Sequence, residues 1–255
     1  MSPAQPSTTP SQTPSPNGSR ETVAGVVARL SDDDLDRGER GRLIGRLIPL
    51  LGGSARRAGL GAVTGGRWLA DLLLELAPHL PVRNVHTLSE HHHGRTGDEL
   101  AESLVQAASR ASAAVGAAGG VLAAVEFAAP PALLSTPVQL AAETLAVVAI
   151  EVKLIAELHE VFGVAVPGSG SERAAAYVTA WANERGVDVL APGNLSSALG
   201  TAARRELRRR LMRRVGRNVT TLAPFLAGAA AGAELNRRAT RSLGDAVVRD
   251  LRGRR

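Results

Sequence analysis

Four charged side chains on one predicted helix could carry out acid/base chemistry. The segment 138–162 is mostly aliphatic, but it carries four candidate catalytic residues: Glu143, Glu151, Lys153 and Glu157. At 100° per residue, all of them except Glu151 fall on one polar stripe about 100° wide, which also includes Gln139 and Glu160. If the stripe lines an internal site, the low dielectric would shift the pKa values of its groups apart, as acid/base catalysis requires.

The favoured interpretation of this stripe is a solvated helix face, and the internal polar site is the alternative. Lys153 and Glu157 have opposite charges at i, i+4 spacing, which fits an ion pair on either kind of surface. Glu151 lies near the apolar side, where a glutamate must be paired or protonated. In the internal-site hypothesis, Glu126 and Glu234 from neighbouring helices would complete the polar cluster.

Two acidic or histidine-rich tracts could bind a metal. The tract 90–93 contains Glu-x-x-His, which is half of a di-iron signature, but no second such pair occurs in the chain. We therefore expect no metal and no cofactor, with Glu90 and His93 as weak candidates only. In the tract 31–36, we expect Ser31 to cap a helix whose first turn holds three aspartates; a hard-cation site is the alternative.

The most basic part of the chain is the segment 204–217. Apolar residues recur there at every fourth position, and arginines surround them: Arg204, Arg205, Arg208, Arg209, Arg210, Arg213, Arg214 and Arg217. A solvated face is the default interpretation of this pattern. The functional alternatives are an anionic membrane surface or a protein partner. Nucleic acid is the least favoured partner, because no zinc finger, RNP motif or aromatic platform accompanies the arginines.

Composition predicts an all-α protein with no β-sheet. Hydrophobic residues make up 44% of the 255 residues, but aromatic residues only 2%, so the core must be built from Ala, Leu, Val and Gly. Such residues suit tightly packed helices better than strands. Lys153 is the only lysine in a chain of net charge +6, which is typical of a GC-rich genome. The absence of cysteine and of a signal-peptide pattern indicates a cytoplasmic protein.

The predicted architecture is one compact multi-helix bundle that follows a disordered Pro/Ser/Thr tail at 1–19. The single helical domain spans 20–252, with peripheral helices at 20–80, a core at 98–163 and C-terminal helices at 171–252. Within the core, three glycines should let another helix approach closely: Gly116, Gly119 and Gly120. The segment 219–233 is uncharged but short and contains Pro224, so we predict no transmembrane span.

Three stretches of the chain resemble the EcsC family of bacterial proteins. These are the Gly/Ala helix VGAAGGVLAAVE with the Pro break after it, the helix that closes on LHEVFG, and the C-terminal PFLAGAAAGAELNRR. The likeness covers about 100–255 and implies a helical fold. The family name comes from a gene that neighbours an ABC transporter, and the family offers no agreed catalytic residues to carry over. The wider composition is similar to that of high-GC actinobacterial proteins.

The sequence therefore favours a non-enzymatic helical interaction protein. It would act at the inner face of the cytoplasmic membrane or with a transport system, and 219–233 would either complete the core or dip into the interface. An enzyme that uses the internal Glu/Lys site is the first alternative, and nucleic-acid binding through 204–217 is the second. No pattern in the sequence indicates an oligomeric state.

Overall fold

The computed structural model describes residues 21–59, 67–128, 135–185 and 223–254, with side chains described except at 67, 122–137 and 223–228. These ranges contain eight helices and no strand, which confirms the all-α prediction. In chain order the helices are α1 Val23–Leu30, α2 Arg37–Ala58, α3 Arg67–Leu76, α4 Val85–His91, α5 Gly97–Ala128, α6 Ser135–Phe162, α7 Gly170–Glu184 and α8 Ala223–Gly253. A 3₁₀ turn, Ala77–His79, follows α3.

Side-chain caps fix where several helices begin. Thr22, Asp36 and Asn84 each accept a hydrogen bond from the backbone N–H three residues ahead, at the starts of α1, α2 and α4. Ser31 ends α1 rather than beginning a helix, so the prediction that it caps the aspartate tract is wrong. The aspartates that follow it lie in the loop between α1 and α2, because Asp36 provides the cap instead.

The long helix α6 is the centre of the bundle and contacts α1, α2, α3, α4, α5, α7 and α8. From 138 to 158 nearly every side chain on it is buried, on all sides of the helix. One continuous cluster of buried apolar residues includes members from each of the eight helices, such as Val26, Leu43, Leu88, Leu145 and Leu251. Polar groups on α6 are therefore enclosed by protein as well.

Helices α5 and α8 pack antiparallel with their backbones in direct contact. A Cβ atom added to Gly116 would lie 2.6 Å from the carbonyl oxygen of Gly232, and one added to Gly120 would lie 2.5 Å from the Cα of Ala229. Real Cβ atoms do not approach other atoms this closely, so both positions require glycine. This confirms the prediction that the glycines of the core allow a close helix approach.

No helix in the described ranges is both long enough and apolar enough to cross a bilayer. The predicted tail 1–19, and the part of 219–233 that precedes 223, lie outside the described residues.

Candidate functional site

All four candidate catalytic residues lie on α6, and all are buried: Glu143, Glu151, Lys153 and Glu157. The most exposed of them, Glu143, retains 8% of its accessible surface. The expectation of a solvated stripe is therefore wrong. A polar stripe on an isolated helix would face water, but α6 has helices on every side, so its polar groups must find partners within the protein.

The first group of partners surrounds Lys153, whose ammonium is bound by two carboxylates. Its Nζ lies 2.9 Å from Oδ2 of Asp33, in the loop between α1 and α2, and 2.9 Å from Oε2 of Glu157, one turn along α6. Arg83, which precedes α4, binds Asp32 at 2.9 Å and Asp33 at 3.2 Å. These five residues are called the lysine cluster below: Asp32, Asp33, Arg83, Lys153 and Glu157.

Arg40 of α2 holds the backbone of the loop between α1 and α2 in place. Its buried guanidinium donates hydrogen bonds to the backbone carbonyls of Leu30, Asp32 and Leu35, the second of these at 2.8 Å. The loop carbonyls therefore face an arginine, while the side chains of Asp32 and Asp33 face Arg83 and Lys153. The cations that these aspartates bind are side chains of the protein, which removes the motive for the hard-cation alternative.

Burial dominates the electrostatics of the lysine cluster. Removal from water raises the pKa of Glu157 to about 7; the charge of Asp33 adds to this rise and Lys153 opposes it. Burial also acts to lower the pKa of Lys153, but the charges of Asp33 and Glu157 outweigh it, so the pKa is raised. Lys153 is therefore held as an ammonium ion, which is not the form that a nucleophilic lysine requires.

The second group of partners surrounds Glu151, which is 1% exposed. Its carboxylate accepts hydrogen bonds from the indole Nε1 of Trp181 at 2.7 Å and from the hydroxyl of Thr240 at 2.7 Å, and it also binds the guanidinium of Arg185. Trp181 lies on α7, Arg185 immediately after it, and Thr240 on α8. The three donors and Glu151, called the Glu151 cluster below, therefore join α6 to both C-terminal helices.

The third group lies where α5 and α6 approach each other. Gln139 donates hydrogen bonds to Oε1 of Glu143 at 3.1 Å and to the backbone carbonyl of Gly119 at 3.4 Å. The carboxyl of Glu143 lies so close to Gly119 that a Cβ atom there would force the Glu143 side chain to move. Gly119 therefore serves a close approach, as predicted, but the group that approaches it is a side chain of α6.

The four candidates are thus divided among three separate clusters, and only Lys153 and Glu157 are brought together. Of the two glutamates expected to complete an internal site, Glu234 lies at the surface and binds Arg237 at 2.8 Å. Glu126 lies on α5, but its side chain is outside the described part. What each described cluster does is bind one helix or loop to another, which is a structural role.

The sequence did not identify Asp33 and Arg83 as members of a site with Lys153. Asp33 is 120 positions from Lys153 in the chain, and Arg83 stands in a loop with no periodic pattern around it. One signal was available: a lone lysine inside an aliphatic helix requires acidic partners if it is buried.

The metal candidates Glu90 and His93 are exposed near the end of α4. Glu90 is 3.6 Å from the imidazole of His86, and His93 has a left-handed backbone with φ of 61°. In the ranges that the structure covers, no three His, Cys, Asp or Glu side chains come together in a group that could hold a metal ion.

Two further features bear on function. All eight arginines of the segment 204–217 lie outside the described residues, between the end of α7 and the start of α8. A groove of about 460 Å³ lies between α5 and α8, and its lining includes Asp98, Glu99, Arg249 and Arg252. None of the four candidate catalytic residues lines this groove.

Comparisons with protein-family models, with curated proteins and with solved structures found no match. The resemblance to the EcsC family therefore stays a prediction.

Proposed function

We propose that this protein is a non-enzymatic helical interaction protein that binds an anionic membrane surface, on the cytoplasmic side, through the arginines of 204–217. Membership of the EcsC family, as an actinobacterial-type protein, belongs to the same proposal. The observation that carries it is the density of arginines in 204–217. The division of the α6 charges among three clusters that bind helices together weighs against the enzyme alternative. The buried charges that suggested an enzyme are engaged in structure, which leaves the basic segment as the strongest functional feature of the chain.

The charge of the segment supports an anionic surface as the partner. Eight arginines and one glutamate occur within 204–217. Arginines near an anionic leaflet contribute about 1 kcal/mol each, so several of them acting together give reversible binding without a spanning helix. Guanidinium groups also suit phosphate headgroups, because their donors bind phosphate oxygens in pairs.

The internal-site enzyme is the less well supported alternative. It needs Glu143, Glu151, Lys153 and Glu157 around one space, whereas each of the three clusters has its own set of partners. Nucleic acid presents the same phosphate groups as a lipid headgroup, so the test also measures binding to DNA and RNA.

The test is cosedimentation of the full chain with vesicles of phosphatidylglycerol and, separately, of phosphatidylcholine. We expect binding to the anionic vesicles only, decreasing as salt is raised. A triple variant with Arg204, Arg208 and Arg213→Ala should lose it. The matched control removes three exposed arginines of α8, Arg238, Arg241 and Arg249→Ala, and therefore lowers the net charge equally.

Recovery of the wild-type protein in the supernatant under all conditions would contradict the proposal. Tighter binding to duplex DNA or to RNA than to vesicles, with a steep salt dependence, would replace it with the nucleic-acid alternative.

A further inference from the structure

The lysine cluster places one ammonium between two carboxylates that come from distant parts of the chain. Asp33 belongs to the loop between α1 and α2, whereas Lys153 and Glu157 belong to α6. Both carboxylates lie 2.9 Å from the same Nζ atom, so their oxygens cannot be farther apart than twice that distance. Two carboxylates this close repel each other when both are ionised.

The two carboxylates are not equally compensated. Asp33 also accepts from the guanidinium of Arg83 at 3.2 Å, and its side chain is 11% exposed. Glu157 is 2% exposed, and besides Lys153 its bond to Arg83 is from the backbone N–H, at 3.4 Å. The negative charge of Glu157 is therefore less compensated than that of Asp33. When this pair of carboxylates takes up one proton, the proton binds to Glu157.

We propose that Glu157 is a proton-controlled latch for the loop between α1 and α2. When Glu157 is protonated, Lys153 forms its ion pair with Asp33 alone, and this pair holds the loop against α6. When Glu157 is ionised, it competes for Lys153 and repels Asp33, so the loop opens more often. This inference is independent of the proposed membrane function.

The direction of the pH dependence follows from the environment of the latch. Burial and the charge of Asp33 raise the pKa of Glu157 to about 7, from 4.5 for a free glutamate. A raised pKa means that the closed loop binds the proton more tightly than the open loop, so opening increases as pH rises through neutrality. The charged and titratable groups around the latch are Asp32, Asp33, Asp34, Arg40, Arg83, His91, His92 and Lys153.

Two histidines also lie beside this loop: the Nδ1 of His91 is 3.7 Å from Oδ2 of Asp34, and the Nδ1 of His92 is 2.8 Å from the hydroxyl of Ser103. Burial lowers the pKa of His92, an effect to which the charges of Lys153 and Arg83 contribute. The lowered pKa of His92 moves its ionisation away from that of Glu157. His91→Gln and His92→Gln variants separate the histidines from Glu157 experimentally.

Hydrogen–deuterium exchange of the full-length protein between pH 6 and 8, corrected for intrinsic exchange, tests the latch. The readout is the exchange of the backbone amides of Asp32 and Asp34, both hydrogen-bonded in the closed loop. In the wild type, the opening equilibrium should increase about tenfold over this range. It rises by up to about tenfold per pH unit below the pKa of Glu157, about 7, and levels off above that pKa. In Glu157→Gln, which keeps the shape but cannot ionise, the change should be less than about twofold.

Three controls make the result decisive. Glu160→Gln, on the same helix but outside the lysine cluster, should retain the wild-type pH profile. So should His91→Gln, which removes the pair with Asp34, and His92→Gln. Infrared difference spectra of the wild type between pH 6 and 8 should show the loss of a protonated carboxyl band, and that band should be absent from Glu157→Gln. A pH-independent loop in the wild type, an unchanged profile in Glu157→Gln, or no such band would overturn the proposal.

Discussion

The indole of Trp181 donates a 2.7 Å hydrogen bond to the buried carboxylate of Glu151, which joins α7 to the central helix. The same carboxylate binds Thr240 and Arg185, so one side chain on α6 fixes the two helices on either side of the basic segment. A buried carboxylate is tolerated here because each of its donors is in place.

Replacing Glu151 by Ala should be strongly destabilising. The change leaves the indole, the hydroxyl and the guanidinium of the Glu151 cluster without their acceptor, and removing one partner of a buried pair typically costs about 3 kcal/mol. Urea denaturation measures this loss, and the fluorescence of Trp181 should shift in the folded baseline. The control is Glu160→Ala, since Glu160 is half-buried and outside this cluster. Equal stability of the two variants would show that the cluster contributes little.

The glycines of the bundle should respond in opposite directions to alanine. Gly120→Ala should be destabilising by about 1–3 kcal/mol, because its Cβ atom would lie 2.5 Å from the Cα of Ala229 and force α5 and α8 apart. Gly52→Ala is the matched change within α2, where a Cβ atom would meet nothing within 4 Å. Alanine there should stabilise the protein by up to about 1 kcal/mol through helix propensity. Thermal unfolding of both variants checks this, and two changes of the same sign would contradict the packing described for α5 and α8.

Much of this fold follows from local sequence, whereas the lysine cluster does not. A composition rich in Ala, Leu, Val and Gly but poor in aromatic residues predicted the all-α architecture, and Gly116 correctly indicated a close helix contact. The aspartate tract was misassigned because Ser31 and Asp36 are both good capping residues, and only the folded chain shows which one caps. The polar stripe of α6 has the same periodicity whether it faces water or other helices, so its burial could not be deduced from α6 alone.

Replacing Lys153 by Met should destabilise the protein more at pH 8 than at pH 5. The pKa of Glu157 is raised, so its contribution to stability is complete below about pH 4.5 and is lost as pH rises through about 7. At pH 5 Glu157 is protonated and the variant loses only the pair with Asp33. At pH 8 the ammonium of the wild type stabilises ionised Glu157, whereas in the variant Glu157 must either keep its proton or be buried as an unpaired anion, and both are unfavourable in the folded state. The expected loss at pH 8 is about 3 kcal/mol.

A double-mutant cycle with Glu157→Gln isolates this pair. Adding Glu157→Gln to Lys153→Met should recover part of the stability at pH 8 and little at pH 5. Arg46→Met serves as the control for losing a cation, because the Arg46–Glu21 pair is exposed and should contribute less than about 1 kcal/mol. If the loss in Lys153→Met were the same at both pH values, Glu157 would not be the group that titrates.

The central claim, that the basic segment binds an anionic surface, is tested most directly by the partition coefficient onto phosphatidylglycerol vesicles in two stepwise arginine series. One series replaces Arg204, Arg208 and Arg213 in turn with Gln, and the other replaces Arg238, Arg241 and Arg249. At about 1 kcal/mol for each arginine near the surface, three changes in the first series should weaken binding on the order of 100-fold. The second series should weaken it several-fold at most, through net charge alone. Equal losses in the two series, or no measurable binding of the wild type, would contradict the account.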